Sequence, residues 1–155
     1  MELLDVFRKN YLVYGLGDDM IQEVAEFATV EIKTAGEDLI RFGERSGDLF
    51  VILDGRVNIL SQGGDKLAEV GPGAVIGEIA LIDDQPRSAN ATCVGLVKAA
   101  RIPAKELRTY MNTNRQVGFT MLANLARVLC FRLRQTDQKL DALMDKVTDP
   151  WQNAL

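Results

Sequence analysis

The stretch GPGAVIGEIALIDDQPRSAN, residues Gly71 to Asn90, decides how the rest of the chain reads. It opens on glycines, passes through a short run of helix formers and closes on Pro86-Arg87-Ser88-Ala89. A glycine-rich turn leading into a helix start presents free backbone N–H groups, which attract an anion. Arg87 adds a planar fork of donors that matches phosphate oxygens better than a lysine does. Glu78, at the start of the short helix, is placed to accept hydrogen bonds from a pair of sugar hydroxyls. Singly, each feature is ordinary: Gly71-Pro72-Gly73 makes a turn, and a lone Glu or Arg is a solvated surface residue. Their combination reads as a site for a sugar phosphate.

The same residues resemble the phosphate-binding cassette of the cyclic-nucleotide-binding domain family, found in catabolite activator proteins, regulatory subunits of cAMP-dependent protein kinase and cyclic-nucleotide-gated channels. The family pattern, Gly-Glu-aliphatic-Ala-Leu, a spacer and Pro-Arg-small-Ala, stands here as Gly77-Glu78-Ile79-Ala80-Leu81 and Pro86-Arg87-Ser88-Ala89 without a gap. The resemblance implies that Glu78 accepts from the ribose 2′-hydroxyl and that Arg87 binds an exocyclic phosphate oxygen. Backbone N–H groups near Gly77, Ser88 and Ala89 would complete the anion site, with Ile79 and Ala80 completing the cassette. A hydroxyl at Ser88 occurs in bacterial cAMP regulators and, as threonine, in sites preferring cGMP. The implied ligand is therefore cAMP, with cGMP left open. Asn90 stands where many members have threonine, serine or tryptophan.

Composition bounds the alternatives. The chain has 155 residues, 47% hydrophobic and 26% charged, with net charge −4. That is enough chain for one domain, or one domain and an extension, with a proper core. The acidic balance argues against a partner bound by phosphate neutralisation. No histidine is present, which removes histidine-based catalytic triads and histidine metal ligands together. No nucleophile and base pair is recognisable, so the reading is a binding protein and not an enzyme. MELLDVFRKN lacks a secretory pattern, and no apolar run reaches membrane-spanning length. Cys93 and Cys130 read as free thiols on a strand and a helix, consistent with a cytoplasmic protein.

Along the chain, residues 2–10 suggest a short amphipathic helix, and Asp18 is a candidate N-cap for DMIQEVAEFA. TVEIKT alternates Val30 and Ile32 with polar residues, the pattern of a half-buried strand. DLIRF, LFVIL, RVNILS, KLAEV, ATCVG and LVKAARI supply further strands, with Asp54-Gly55 between apolar runs as a tight-hairpin signal. Short strands at this spacing suit a barrel or sandwich. The resemblance extends through the turn glycines Gly36, Gly43, Gly47 and Gly55. It implies a mainly β fold: an eight-stranded β-roll, jelly-roll or cupin-like, with helices before it and a long dimerisation helix after it.

Pro103 opens a short helix, and a long one is expected from about Asn114 to Val147. Phe119, Ala126, Leu133, Leu140 and Val147 recur every seven residues, with Leu122, Leu129, Thr136 and Leu143 three residues behind. This a/d row over about four heptads describes a parallel coiled-coil homodimer, in which Arg132 would pair with Asp137 of the other helix. A helix packed on its own roll is the competing reading. By the family's pattern the long helix closes over the purine, with Arg132 nearest the base; Arg132 either stacks there or serves only as an interhelical partner. The expected division is 1–112, roll and N-terminal helices with the cassette at 71–90, and 113–155, long helix and tail with Trp151. Since DPWQNAL closes the chain where family transcription factors continue, the expectation is a stand-alone module with no DNA-binding domain and no membrane segment, read by a downstream protein. The competing function is a dimerisation scaffold that kept the fold and lost ligand response.

Overall fold

The computed structural model describes residues 2–148, the last two by backbone alone; the side chain of Val147 and the tail around Trp151 lie outside the described residues. Helix α1 (Leu3–Arg8), a 3-10 turn (Tyr11–Val13) and α2 (Asp18–Glu26) lead into eight strands. These are β1 (Thr29–Lys33), β2 (Asp38–Ile40), β3 (Leu49–Asp54), β4 (Val57–Leu60), β5 (Lys66–Val70), β6 (Val75–Ile76), β7 (Asn90–Cys93) and β8 (Val97–Ile102). Helix α3 (Ala80–Asp83) lies between β6 and β7, and α4 (Ala104–Thr113) and α5 (Arg115–Thr148) follow β8.

Two four-stranded antiparallel sheets form, ordered β1-β8-β3-β6 and β2-β7-β4-β5. The unbroken apolar run of β3 is explained by its place, since both of its faces are covered. Phe50 and Ile52 point into a core shared with Leu39, Ile40, Val57, Ala91 and Cys93 of the facing sheet. Leu49, Val51 and Leu53 point the other way, into a second core built with Val6, Phe7, Leu12, Val24, Leu107 and Met121 from the helices. Each such side chain taken from water contributes about 1.5–3 kcal/mol. The first sheet is thus the middle layer between the second sheet and the helices.

Two expectations for the strands change. Asp54-Gly55 does not close a hairpin, because β3 and β4 belong to different sheets. It turns the chain from one sheet to the other, and Gly55 is needed there for space: at φ +90°, a Cβ would sit 2.3 Å from the Leu96 carbonyl oxygen. Val30 and Ile32 are 44% and 68% exposed, since β1 is an edge strand whose apolar face the helices do not reach. Strand β6, for which no run was read in the sequence, is only two residues long and lies inside the cassette, too short to leave a periodic signal.

In the helical layer, Gly17 and not Asp18 is the N-cap of α2. The Asp18 carboxylate accepts from Arg8 and Gln22 instead, tying α2 back to α1. The first half of α5 lies against its own chain through Val117, Met121 and Leu125, a row four residues apart and distinct from the heptad row. Between them the buried Asn124 amide donates to the carbonyls of Leu12 and Tyr14, clamping the 3-10 turn to α5. Within the heptad row, Leu129 is partly packed on this core, whereas Phe119, Leu133, Leu140 and Leu143 are exposed. The first half of the helix therefore packs on its own roll, while side chains of the heptad row are exposed in both halves. Cys93 is buried on β7, Cys130 is exposed on α5, and both are free.

Candidate functional site

Pairing of β6 with β3 places Gly77, just after β6, beside Asp48, just before β3. Gly77 takes φ +82°, and a Cβ there would lie 2.7 Å from Arg87 Nη1 and 3.0 Å from the Asp48 carbonyl oxygen. Only glycine leaves the space the arginine occupies. Arg87 Nη1 donates to the Gly77 carbonyl at 3.0 Å, and Nη2 donates to the Asp48 carbonyl. Its own backbone is pinned, the N–H donating to Glu44 O and the carbonyl accepting from Gly43 N. Two of the five guanidinium N–H donors are thus committed and three remain for a ligand. Burial draws the Arg87 pKa below its usual value, while Asp48, Glu44 and Glu78 pull it back. A charged group only 6% exposed and held by backbone carbonyls is not a solvated surface residue.

Glu78 is 4% exposed and lies two residues ahead of α3. Its Oε1 accepts from Arg132 Nη1 at 2.6 Å, an ion pair between the cassette and α5. Arg132 is therefore engaged within its own chain, a contact that the expected pairing with Asp137 of a second helix did not include. The reason is distance along the fold: the first half of α5, docked through Met121 and Leu125, carries Arg132 over the cassette. The two members are unequal, since the Arg132 side chain is 51% exposed and the Glu78 side chain 6%.

Gly77, Glu78, Ile79, Ala80, Arg87, Ser88, Ala89 and Arg132 all line one cavity of about 430 Å³. The opposite wall is apolar, with Ile40, Ile59, Ala68, Val70 and Ala91. One end thus offers a fixed cation and a carboxylate, and the other a surface for a flat apolar group; the volume is that of a small-ligand site. A larger, more open hollow along α4, lined by Phe27, Lys105, Tyr110 and Arg115 among others, has no comparable buried charge. No group of histidine, cysteine or acidic side chains able to hold a metal occurs among the described residues. Nor is any helix among them long and apolar enough to cross a membrane.

Three residues that hold the site were not visible in the pattern. Asp48 supplies its carbonyl to Arg87 and its carboxylate to the Ala104 N–H at the start of α4. Arg108 of α4 donates to the carbonyls of Ala80 and Leu81 at 2.6 and 3.2 Å, fixing α3. Asn10 donates to the Gly73 carbonyl at 2.8 Å, tying the N-terminal helices to the loop before the cassette. Each acts through a backbone carbonyl or N–H of a contact far apart in sequence, and backbone atoms leave no side-chain signature.

Comparison with known proteins agrees with this geometry. The family described as cyclic nucleotide-binding domain matches residues 32–114. Glutaminase 2 of Bradyrhizobium diazoefficiens is 29% identical over 85% of this chain, which spans only 21% of that protein. The cyclic AMP receptor protein of Thermus thermophilus is 28% identical over 85% of this chain and 61% of its own length. Among solved structures, the N-terminal domain of a transcriptional regulator from Streptomyces coelicolor A3(2) superposes with a TM-score of 0.72 at 31% identity, covering 88% of this chain and 95% of that one. The chain spans less than two thirds of the length of these curated relatives. With a caged arginine and a buried glutamate on one cavity, and a family match over more than half its length, the chain belongs to the cyclic nucleotide-binding domain family.

Proposed function

We propose that the cavity binds a cyclic nucleotide, cAMP in preference to cGMP, and that the chain is a homodimeric regulatory module in which binding repositions α5. The observation that carries this reading is Arg87, buried, caged by the carbonyls of Gly77 and Asp48 and facing the same cavity as buried Glu78. Arg87 and the cassette amides bind the cyclic phosphate, Glu78 accepts from the ribose, and the apolar wall takes the purine. Ser88 offers a hydroxyl beside the phosphate. The preference for cAMP is supported by the similarity to the cyclic AMP receptor protein of Thermus thermophilus.

The coupling follows from Glu78. Its carboxylate is engaged by Arg132, so a ribose hydroxyl entering the cavity meets a group already tied to α5. Filling the cavity loosens that link, or re-aims Arg132 onto the base, and either shifts the population of α5 positions. The exposed heptad row beyond Leu129 is where a second copy packs, giving the shift a dimer to act on. A downstream protein reads the arrangement, and the setting is cytoplasmic. The exposed row also favours a second reading, a dimerisation scaffold that no longer responds to ligand.

Thermal unfolding with cAMP, and separately with cGMP, separates the two. Ligand at about a hundred times its Kd stabilises the folded state by about 2.7 kcal/mol, a rise in Tm of roughly 5–11 °C for a domain of this size. The rise is expected with cAMP and is lost in Arg87→Ala. No rise with either nucleotide would favour the scaffold.

A further inference from the structure

The Tyr11 hydroxyl is buried and has no hydrogen-bond partner, although its ring packs against the helical core. A buried hydroxyl without a partner destabilises the state that contains it. Its position is nevertheless fixed from both sides. Asn10, one residue before, donates to the Gly73 carbonyl of the cassette loop and accepts from the Leu12 N–H. Asn124 of α5 donates to Leu12 and Tyr14, the residues just beyond. Tyr11 is thus held between the cassette loop and α5, the two elements that the Glu78–Arg132 pair also joins. Burial first and the Glu78 carboxylate second push the phenol up to about 12, while Arg132 pulls it back.

Glu78 has acceptor capacity to spare. Arg132 occupies one oxygen, and a carboxylate offers about four lone-pair sites. If Arg132 withdraws, a carboxylate that is almost wholly buried loses its cation, which is costly unless another donor takes over. Two incomplete groups therefore stand at the same junction of cassette and α5, a donor without an acceptor and an acceptor held by a single cation.

We propose that Tyr11 is a positioning residue for Glu78: when Arg132 gives up the carboxylate, the Tyr11 hydroxyl donates to it and holds it toward the sugar. The proton stays on the phenol oxygen throughout, and no bond other than a hydrogen bond forms or breaks. As a role in ligand binding this rests on the cyclic-nucleotide reading of the cavity, but the handover itself is testable without ligand.

The test compares the parent, Tyr11→Phe, Arg132→Ala and the double variant by thermal unfolding without ligand, then by cAMP titration. In the parent background Tyr11→Phe is expected to leave Tm unchanged or slightly raised, because it removes a hydroxyl with no partner. In the Arg132→Ala background the same change is expected to lower Tm by about 5 °C, because buried Glu78 loses its remaining donor. Binding of cAMP to Tyr11→Phe should be about tenfold weaker, equivalent to 1.4 kcal/mol. Equal effects of Tyr11→Phe on Tm in the two backgrounds would reduce Tyr11 to a packing residue and overturn the proposal, as would parent-like cAMP affinity in a parent that binds. If no variant and no parent binds cAMP, the nucleotide reading fails, and the ligand-free cycle still decides the handover: coupling supports it, additivity overturns it.

Discussion

The cassette and the outer half of α5 are opposites. In the cassette, two charged groups are inside and partnered: Arg87 in its carbonyl cage and Glu78 against Arg132, with α3 held by Arg108. In α5 beyond Leu129, apolar groups are outside, Leu133 being 62% exposed and Leu140 and Leu143 similarly bare. A buried charge is stable only when its surroundings over-determine it, so the cassette is completed by its own chain. A helix gains most of its stability from packing an apolar face, so the outer half of α5 is incomplete as a single chain. That contrast is why we assign ligand to the first region and a second copy to the other.

Substitutions should widen or close this contrast in a definite order. The largest loss of stability is expected from Gly77→Ala, which combines a φ of +82° with a 2.7 Å approach to Arg87. It should destabilise by about 3 kcal/mol, lowering Tm by roughly 6–12 °C, and displace the guanidinium so that nucleotide no longer stabilises the protein. A Tm within a degree of the parent would show that the cage tolerates a side chain. Next comes Asn124→Ala, which leaves the carbonyls of Leu12 and Tyr14 without their donor and should cost about 2 kcal/mol in urea unfolding. It tests whether the inner half of α5 belongs with the cassette side of the comparison.

A smaller effect is expected from alkali. Burial, then Glu78, raises the pKa of Tyr11 to about 12, and burial, then Glu23, does the same for Tyr110. The folded state favours both neutral phenols relative to an unfolded chain titrating near 10. Their contribution is fully present below pH 10 and is lost as the pH rises toward 12. The urea midpoint should fall across that window, and Tyr110→Phe should flatten the fall; an unaltered slope would remove Tyr110 from the account. The smallest effect on the chain's own stability is expected from Leu133→Glu with Leu140→Glu, within about 0.5 kcal/mol because both positions are exposed. Sedimentation should nevertheless show a dimer reduced to a monomer, and an unchanged mass would show that the row is not the interface.

Much of this was legible in the linear pattern, for identifiable reasons. LFVIL announced a buried strand because both faces of β3 are covered, and β7 and β8 followed from ATCVG and LVKAARI. The cassette was legible because its chemistry needs particular residues at close spacing: Glu78 and Arg87 are nine apart, and all eight expected residues line one cavity. Asp54-Gly55 misled because a sheet-changing corner uses the same glycine as a hairpin, and the difference lies in which strand β4 joins. Val30 and Ile32 misled because alternation marks two faces without saying whether anything covers the apolar one.

The sequence by itself determined seven of the eight strands, the cassette, the long helix and the family, since each rests on local periodicity or on residue types within one short segment. Only the tertiary structure decided how the site is held and linked. Arg87 is caged by carbonyls 10 and 39 residues away, and Glu78 meets Arg132 across 54. Those contacts join backbone atoms and distant side chains that no pattern of side chains along the chain encodes, so they come into being only when the sheets and helices close on one another.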